Sequence, residues 1–436
     1  MAADGRSDGR KGAALTDTIY ALSSGAPPAA VAIVRISGPK ADAALEALAG
    51  KLPETRTARL AALRSNGEVL DNALIIRFQG PASATGEDVA EMHLHGGRSV
   101  VAAVLAALGS IEGLRQAEPG EFTRRAFENG RIDLAEAEGL ADLIEAETES
   151  QRRAAIALAG GVFSRQIGLW QQRILALAAE VEAALDFSDE DDVSSPLLDL
   201  GPRLALLGDE LAGWIDRPPV ERLKDGIKVV IAGPTNAGKS SLFNALVRRE
   251  AAIISALPGT TRDLIEAPIA IAGVPFLLID TAGLRESQDA IESIGVSRAR
   301  DSLARADLIL WLGDPAEALP GAIRVHPKAD LGAPPATDVD IAISSRTGEG
   351  LDVLIRMLIQ RSAELLPAVG EVAINGRHRA ALKETRKAIQ EAATASDLLI
   401  VAESLRHARA SLDQVTGTAG VEDMLDALFG RFCIGK

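Results

Sequence analysis

The stretch Gly233-Pro234-Thr235-Asn236-Ala237-Gly238-Lys239-Ser240 decides how the middle of this chain is read. It fits the pattern G-x-x-x-x-G-K-[ST], follows an apolar run at 228–232 and precedes a helix expected over 241–248. A strand, a glycine-containing loop and a helix, in that order, are the context that makes such a match a phosphate-binding loop. Backbone N–H groups of the loop face phosphate oxygens, and the helix N-terminus adds positive potential. Lys239 is expected to neutralise the β- and γ-phosphates and Ser240 to ligate Mg²⁺.

Outward from this loop, Asp280-Thr281-Ala282-Gly283 follows a second apolar run at 276–280. An acid at a strand end facing a phosphate loop serves the metal, and Gly283 lets its N–H approach the γ-phosphate. Between the two lies Gly259-Thr260-Thr261-Arg262-Asp263, where a threonine hydroxyl can complete the Mg²⁺ shell and release it after hydrolysis. Ser344-Ser345-Arg346 resembles the last guanine-contacting loop of GTPases. The usual Asn-Lys-x-Asp reads here as Pro327-Lys328-Ala329-Asp330. Asp330 can accept two hydrogen bonds from guanine and Lys328 can cover the ring, whereas Pro327 cannot supply the amide of the usual Asn. Guanine over adenine is the expected preference.

Around this centre the chain changes texture. Residues 17–130 mix short strands, expected at 31–36 and 73–78, with helix. Residues 132–214 read as helical; Leu134, Ala137, Ala141 and Ile144 follow the spacing of one helix face. The acidic run 186–192 reads as a solvated loop. Arg217-Pro218-Pro219 breaks the helices, and buried parallel strands are expected at 228–232, 276–280, 307–312 and 341–344. Helical texture returns near Gly376. The expected fold is an α/β domain inserted into an all-α domain, an arrangement open to a domain whose chain ends lie close together.

Composition narrows the function. The 436 residues are 47% hydrophobic and 25% charged, as in ordinary folded proteins, but only 3% aromatic. A base-stacking RNA platform is disfavoured, and a net charge of −15 leaves RNA contact to a local basic patch or a partner. A single cysteine, Cys433, fits a reducing compartment. The first twelve residues lack a signal-peptide core, and the apolar stretch 100–108 is too short to span a bilayer. A cytoplasmic protein with no membrane role is expected. His93 and His95 have the alternate spacing of a metal pair, but no third ligand is evident, and packing or site polarity is the competing reading.

The order of the nucleotide motifs is similar to that of the TRAFAC GTPases, with Leu284 where Ras-like members carry a catalytic Gln. Phe432-Cys433-Ile434-Gly435-Lys436, Pro119-Gly120-Glu121-Phe122-Thr123-Arg124-Arg125-Ala126-Phe127 and Thr85-Gly86-Glu87-Asp88 narrow the resemblance to the bacterial tRNA-modification GTPases called MnmE or TrmE. That resemblance covers essentially the whole chain past the tail.

The polar, mixed-charge start of the chain reads as a disordered tail at 1–16, and the resemblance implies an α+β tetrahydrofolate-binding and dimerisation domain at 17–131. Helical segments at 132–220 and 371–436 would flank a G domain at 221–370. It implies a homodimer. With a FAD-containing partner, MnmG (GidA), it would modify the wobble uridine of certain tRNAs at C5, taking carbon from a one-carbon tetrahydrofolate. FAD would reside on the partner alone. Carried over by matching positions, Arg35, Glu91, Arg131 and Lys436 contact folate, with Arg131 standing where the family has lysine. Asn236, Ser255, Leu257 and Thr260 hold K⁺, and Ser240 with Thr261 hold Mg²⁺. Glu292 positions the attacking water and acts with Lys239 in catalysis; Cys433 is implicated in the modification chemistry. The implied nucleotide contacts are Asn236, Ala237, Gly238, Lys239, Ser240 and Ser241, then Ser255, Ala256, Leu257, Pro258, Gly259, Thr260 and Thr261. Asp280, Thr281, Ala282, Gly283, Lys328, Asp330, Ser344, Ser345 and Arg346 complete them.

Two other functions compete. A ribosome-assembly GTPase would carry a basic RNA-binding domain, and the acidic flanks show no Gly-x-x-Gly loop in a KH pattern. A folate-dependent transferase with a degenerate G domain is opposed by intact Lys239, Ser240, Asp280 and Gly283.

Overall fold

Alternation of apolar and polar residues builds the first sheet. The computed structural model describes residues 17–186, 199–250, 265–281, 302–332, 338–368, 371–417 and 422–435. Two compact units emerge, one running to Ala141 and resuming at Thr416, the other spanning Asp142–Val415. In the first lie β1 (Thr18–Leu22), β2 (Val31–Ser37), α1 (Ala41–Ala49), β3 (Arg59–Ser65), β4 (Glu68–Phe78), β5 (Val89–His95), α2 (Arg98–Gly109), β6 (Leu114–Gln116) and α3 (Glu121–Glu128). The strand order is β3-β4-β5-β2-β1-β6. Only β1 and β6 pair in parallel; the other neighbours are antiparallel.

Because side chains alternate across a strand, Val34, Ile36, Met92 and Leu94 enter a core with Leu45, Val104 and Leu108 of α1 and α2. Arg35, Glu91 and His93 are the alternate residues. The helix α4 (Leu134–Glu145) crosses the boundary between the units. Its Leu134, Ala137 and Ala141 are buried as the spacing requires, but Ile144 is exposed. The apolar stripe ends one turn early, because the cluster of Phe429 and Phe432 that receives it reaches Ala137 and Ala141 and no further.

The second unit begins with α5 (Glu149–Ala159), α6 (Val162–Asp186) and α7 (Leu200–Ile215), followed by the short α8 (Glu221–Asp225). Helix α6 buries Phe163, Ile167, Trp170, Ile174, Leu177 and Val181, a continuous 3-4 stripe. Trp214 stacks on Phe163 and meets Trp170 edge-on. An α/β layer then intervenes: β7 (Ile227–Ala232), α9 (Lys239–Glu250), β8 (Ile265–Ile271), β9 (Val274–Asp280), β10 (Leu308–Trp311), β11 (Ile323–His326), β12 (Ile341–Ala342) and α10 (Leu351–Ala363). Its order is β12-β11-β10-β7-β9-β8, parallel except for β8 at the edge.

Helices resume with α11 (Gly376–Thr394) and α12 (Leu398–Thr416), and α11 packs along α7. Arg379 of α11 donates to the carbonyls of Ile215 and Arg217, so the chain leaving the helices and the chain returning are stitched together. An α/β domain is thus inserted into a helical one. The last helix, α13 (Glu422–Phe429), lies with α3 in the first unit.

Candidate nucleotide and folate sites

Strand β7 delivers residues 233–240 at its C-terminal end, the edge where ligands bind in open α/β sheets. The Lys239 ammonium donates to the carbonyls of Gly233 (3.0 Å) and Pro234 (2.8 Å), holding the loop curled. Asn236 is exposed, with φ at 61°. Asp280 ends β9 beside Ile231 and is wholly buried, and the Thr281 hydroxyl donates to the Ile231 carbonyl at 2.9 Å. Ser240 and Ser241 are exposed at the start of α9. Hydroxyl and carboxylate oxygens are the donors Mg²⁺ prefers, so the residues present fit that ion.

The base-reading loops converge on the same edge. The Lys328 ammonium donates to the Asn236 carbonyl at 2.8 Å, bridging the base loop and the phosphate loop. A β-carbon added at Gly238 would lie 3.8 Å from Pro327 Cβ and 3.9 Å from Lys328 Cε. Pro327 therefore lies against the phosphate loop at Gly238. Ser344 donates to Asp330 Oδ1 at 2.8 Å and accepts from the amides of Arg346 and Thr347. Arg346 is 83% exposed, with Nε 3.3 Å from Asp330 Oδ2, and Ser345 is half-buried. Ser344 is fully buried, so it orients Asp330.

In the first unit Arg35 and Glu91 lie opposite each other on β2 and β5. Arg35 Nε donates to Glu91 Oε1 at 2.9 Å, and its guanidinium sits over the Phe122 ring. Arg131 follows α3, its side chain close against Gly86. Ile434 bridges to Pro119, and Gly435, with φ at +100°, passes so near Leu22 that a β-carbon would lie 2.0 Å from its carbonyl oxygen. Cys433 is exposed next to that bridge. His93 approaches Glu91 at 3.4 Å, and His95 bonds Asp71 at 2.7 Å. Neither joins a metal set: among the described residues no cluster of three or more His, Cys, Asp or Glu could hold an ion. The expectations for residues 1–16 and for Ser255, Ala256, Leu257, Pro258, Gly259, Thr260, Thr261, Ala282, Gly283, Glu292 and Lys436 fall outside the described residues, as does most of the acidic run.

Residues 134–433 match the model of the MnmE helical domain, and residues 18–131 match the N-terminus of the GTP-binding protein TrmE. The chain belongs to the MnmE family. The tRNA modification GTPase MnmE of Rhizorhabdus wittichii is 56% identical over 431 residues, covering 98% of each chain. That of Erythrobacter litoralis is 55% identical over 423 residues, 96% of this chain and all of the relative. As a member of the MnmE family the protein is a GTP hydrolase. No helix among the described residues is long and apolar enough to cross a membrane.

One cluster of side chains has little signal in the sequence. Arg125, almost fully buried, binds Glu87 (3.1 Å), Asp17 (2.8 Å) and Glu121 (3.1 Å). Arg115 bridges the same Asp17 and Glu121 at 2.5 Å each, and Ser37 donates to Glu87 at 2.6 Å. The Thr85–Asp88 and Pro119–Phe127 blocks are thereby clamped together. The i,i+4 spacing of Glu121 and Arg125 was the one visible signal; the partners Asp17 and Glu87 come from distant strands and loops.

Proposed function

We propose that this chain is a K⁺-stimulated, Mg²⁺-dependent GTP hydrolase of tRNA wobble-uridine modification. It would act as a cytoplasmic homodimer with the FAD-dependent MnmG. Together they would add a carboxymethylaminomethyl or aminomethyl group to C5, using a one-carbon tetrahydrofolate. The observation that carries the folate part is convergence. Arg35, Glu91, Phe122, Pro119 and Ile434 come from four separate parts of the sequence and meet in one unit. A carboxylate beside a guanidinium offers acceptor and donor groups side by side, which suits the fused aminopyrimidinone of a pterin.

In the G domain, Lys239 would shift from its loop carbonyls to the β- and γ-phosphates, and Asp330, held by Ser344, would accept the guanine N–H groups. Ser240 and Thr261 would hold Mg²⁺; Asn236, Ser255, Leu257 and Thr260 would hold K⁺. K⁺ would supply the positive charge that an arginine finger supplies in other GTPases. Glu292 would hold the attacking water.

Calorimetry with 5-formyl-tetrahydrofolate tests the folate half: Glu91→Ala should weaken binding at least about tenfold, as expected for loss of a charged hydrogen-bond partner. Unchanged affinity would sink it. Turnover of GTP in KCl against NaCl tests the cation half, which fails if Na⁺ serves equally well.

A further inference from the structure

We propose that Ser150 and Gln151, in the first turn of α5, are positioning residues for GTP hydrolysis that tie the helical layer to both chain segments ending at the nucleotide site. The first tie is to the β8–β9 hairpin. Its two-residue turn, Ala272 and Gly273, has both φ values positive, at 50° and 79°. That is the geometry of tight hairpins, and it explains glycine at the second position. Ser150 reaches the turn twice: its amide donates to the Gly273 carbonyl at 3.2 Å and its hydroxyl at 2.8 Å. The seven-residue strands then run without a register break to Asp280, which pairs with Ile265 on one side and Ile231 on the other. At about 3.4 Å per residue the hairpin spans roughly 20 Å. One end is gripped by α5 and the other carries the buried acid of the phosphate site. Thr261 lies just four residues before Ile265 in the chain.

The second tie is to the strand that feeds the phosphate loop. Gln151 Nε2 donates to the Leu223 carbonyl at 2.8 Å, four residues before β7 begins. The same side chain closes the α5 capping box, its Oε1 accepting from the Thr148 amide at 2.8 Å. Gln151 thus serves the helix through its oxygen and the G domain through its nitrogen. A cavity of about 170 Å³, lined in part by Gln151, Leu223, Lys224 and Ala373, lies beside this turn. Hydrogen-bonded strands transmit a displacement at one end to the other, because a packed sheet does not deform continuously.

The inference goes beyond the family's GTPase activity, which the unaltered chain reports in the same assay. Gln151→Glu keeps the capping oxygen and replaces the donor to Leu223 with a carboxylate oxygen that repels its carbonyl. Ser150→Ala removes the hydroxyl, and Ser150→Thr restores it. In the full chain, Gln151→Glu and Ser150→Ala should lower kcat roughly 3- to 10-fold with KM within about twofold, the scale of coupling by residues remote from ligand. Ser150→Thr should recover most of the rate. Hydrogen exchange of the 148–153 amides should differ between GDP and a non-hydrolysable GTP analogue, and Gln151→Glu should erase that difference. The proposal is overturned by parental kcat in both variants, by equal loss in Ser150→Ala and Ser150→Thr, or by exchange that ignores the nucleotide.

Discussion

The first unit and the α/β layer place their charged motif residues in opposite ways. Around Arg125 the charges face inward: one guanidinium, 3% exposed, holds three carboxylates. Around the phosphate loop the cationic side chains bond backbone or stand largely in solvent. Lys239 bonds carbonyls of its own loop, Lys328 bonds a carbonyl of the neighbouring loop, and Arg346 stands exposed. Buried charge must be paired where it lies, so the first arrangement fixes loops relative to one another. Charges bonded to carbonyls can exchange that partner for a phosphate or a base. The motif blocks of the first unit are therefore read as scaffolding for Arg35 and Glu91, whereas those of the α/β layer would meet the proposed ligand themselves.

This contrast breaks most sharply at Arg125. Arg125→Met would leave Glu87, Glu121 and Asp17 without their shared cation. Removing one partner of a buried ion set costs about 3–5 kcal/mol. Unfolding of the full chain should show the first unit melting early, while GTP turnover stays close to parental. A stability loss below about 1 kcal/mol would make this network no more than a surface pairing. Lys239→Ala is the mirror experiment. It should cost at least about 100-fold in turnover, on the scale of lost electrostatic stabilisation. The melting of the first unit should not move. Turnover near the parental value would remove Lys239 from the site.

A smaller effect sharpens the comparison within the α/β layer. Asp330→Asn swaps a two-oxygen acceptor for one acceptor and a mismatched donor, while Ser344 can still bond the remaining oxygen. Preference for GTP over ATP, from competition measurements, should fall by roughly tenfold. Intact discrimination would show that Pro327-Lys328-Ala329-Asp330 does not read the base.

How much of this was legible follows from how local each signal is. The phosphate loop, the acid at 280 and the loops at 328–330 and 344–346 are short segments whose spacing carries their chemistry, and the structure brings those described to one sheet edge. Strand β8 was not read because Pro268 interrupts it; an edge strand tolerates the missing N–H, and Pro268 lies opposite Leu277 on that edge. Strand β11, Ile323-Arg324-Val325-His326, alternates apolar and polar residues, but four residues are too short a run to stand out. Ile144 misled because periodicity reports a helix face without reporting how far its partner extends. The Arg125 network and the tie from Ser150 to Gly273 join residues dozens to more than a hundred positions apart, which no local pattern encodes.

The smallest effect is the response of the first unit to acid. Burial alone would raise the carboxyls of Glu121 and Asp17, but hydrogen bonds from Arg115, joined by Arg125, outweigh it and hold both below the ordinary range. A carboxyl lowered in the folded state stabilises the protein above its unfolded pKa, and that contribution is lost as pH falls through the folded value. The loss should begin below about pH 4, where unfolded Asp and Glu titrate. Glu128, on the same helix, is raised by burial and has the opposite sign: its neutral form is the favoured one, so acid relieves part of its cost. Arg115 is 41% exposed, so solvent screening confines its pairing to under about 1 kcal/mol. The net acid effect is accordingly modest and local. Hydrogen exchange of the 121–128 amides between pH 7 and pH 3, corrected for intrinsic rates, should show protection falling below about pH 4 in the parent. In Glu121→Gln the fall should be shallower, since one of the two lowered carboxyls is gone and Glu128 still pulls the other way. Parallel curves for parent and variant would mean that Glu121 is protonated alike in the folded and unfolded chain, and that the clamp between the two motif blocks rests on Arg125 and Glu87 alone.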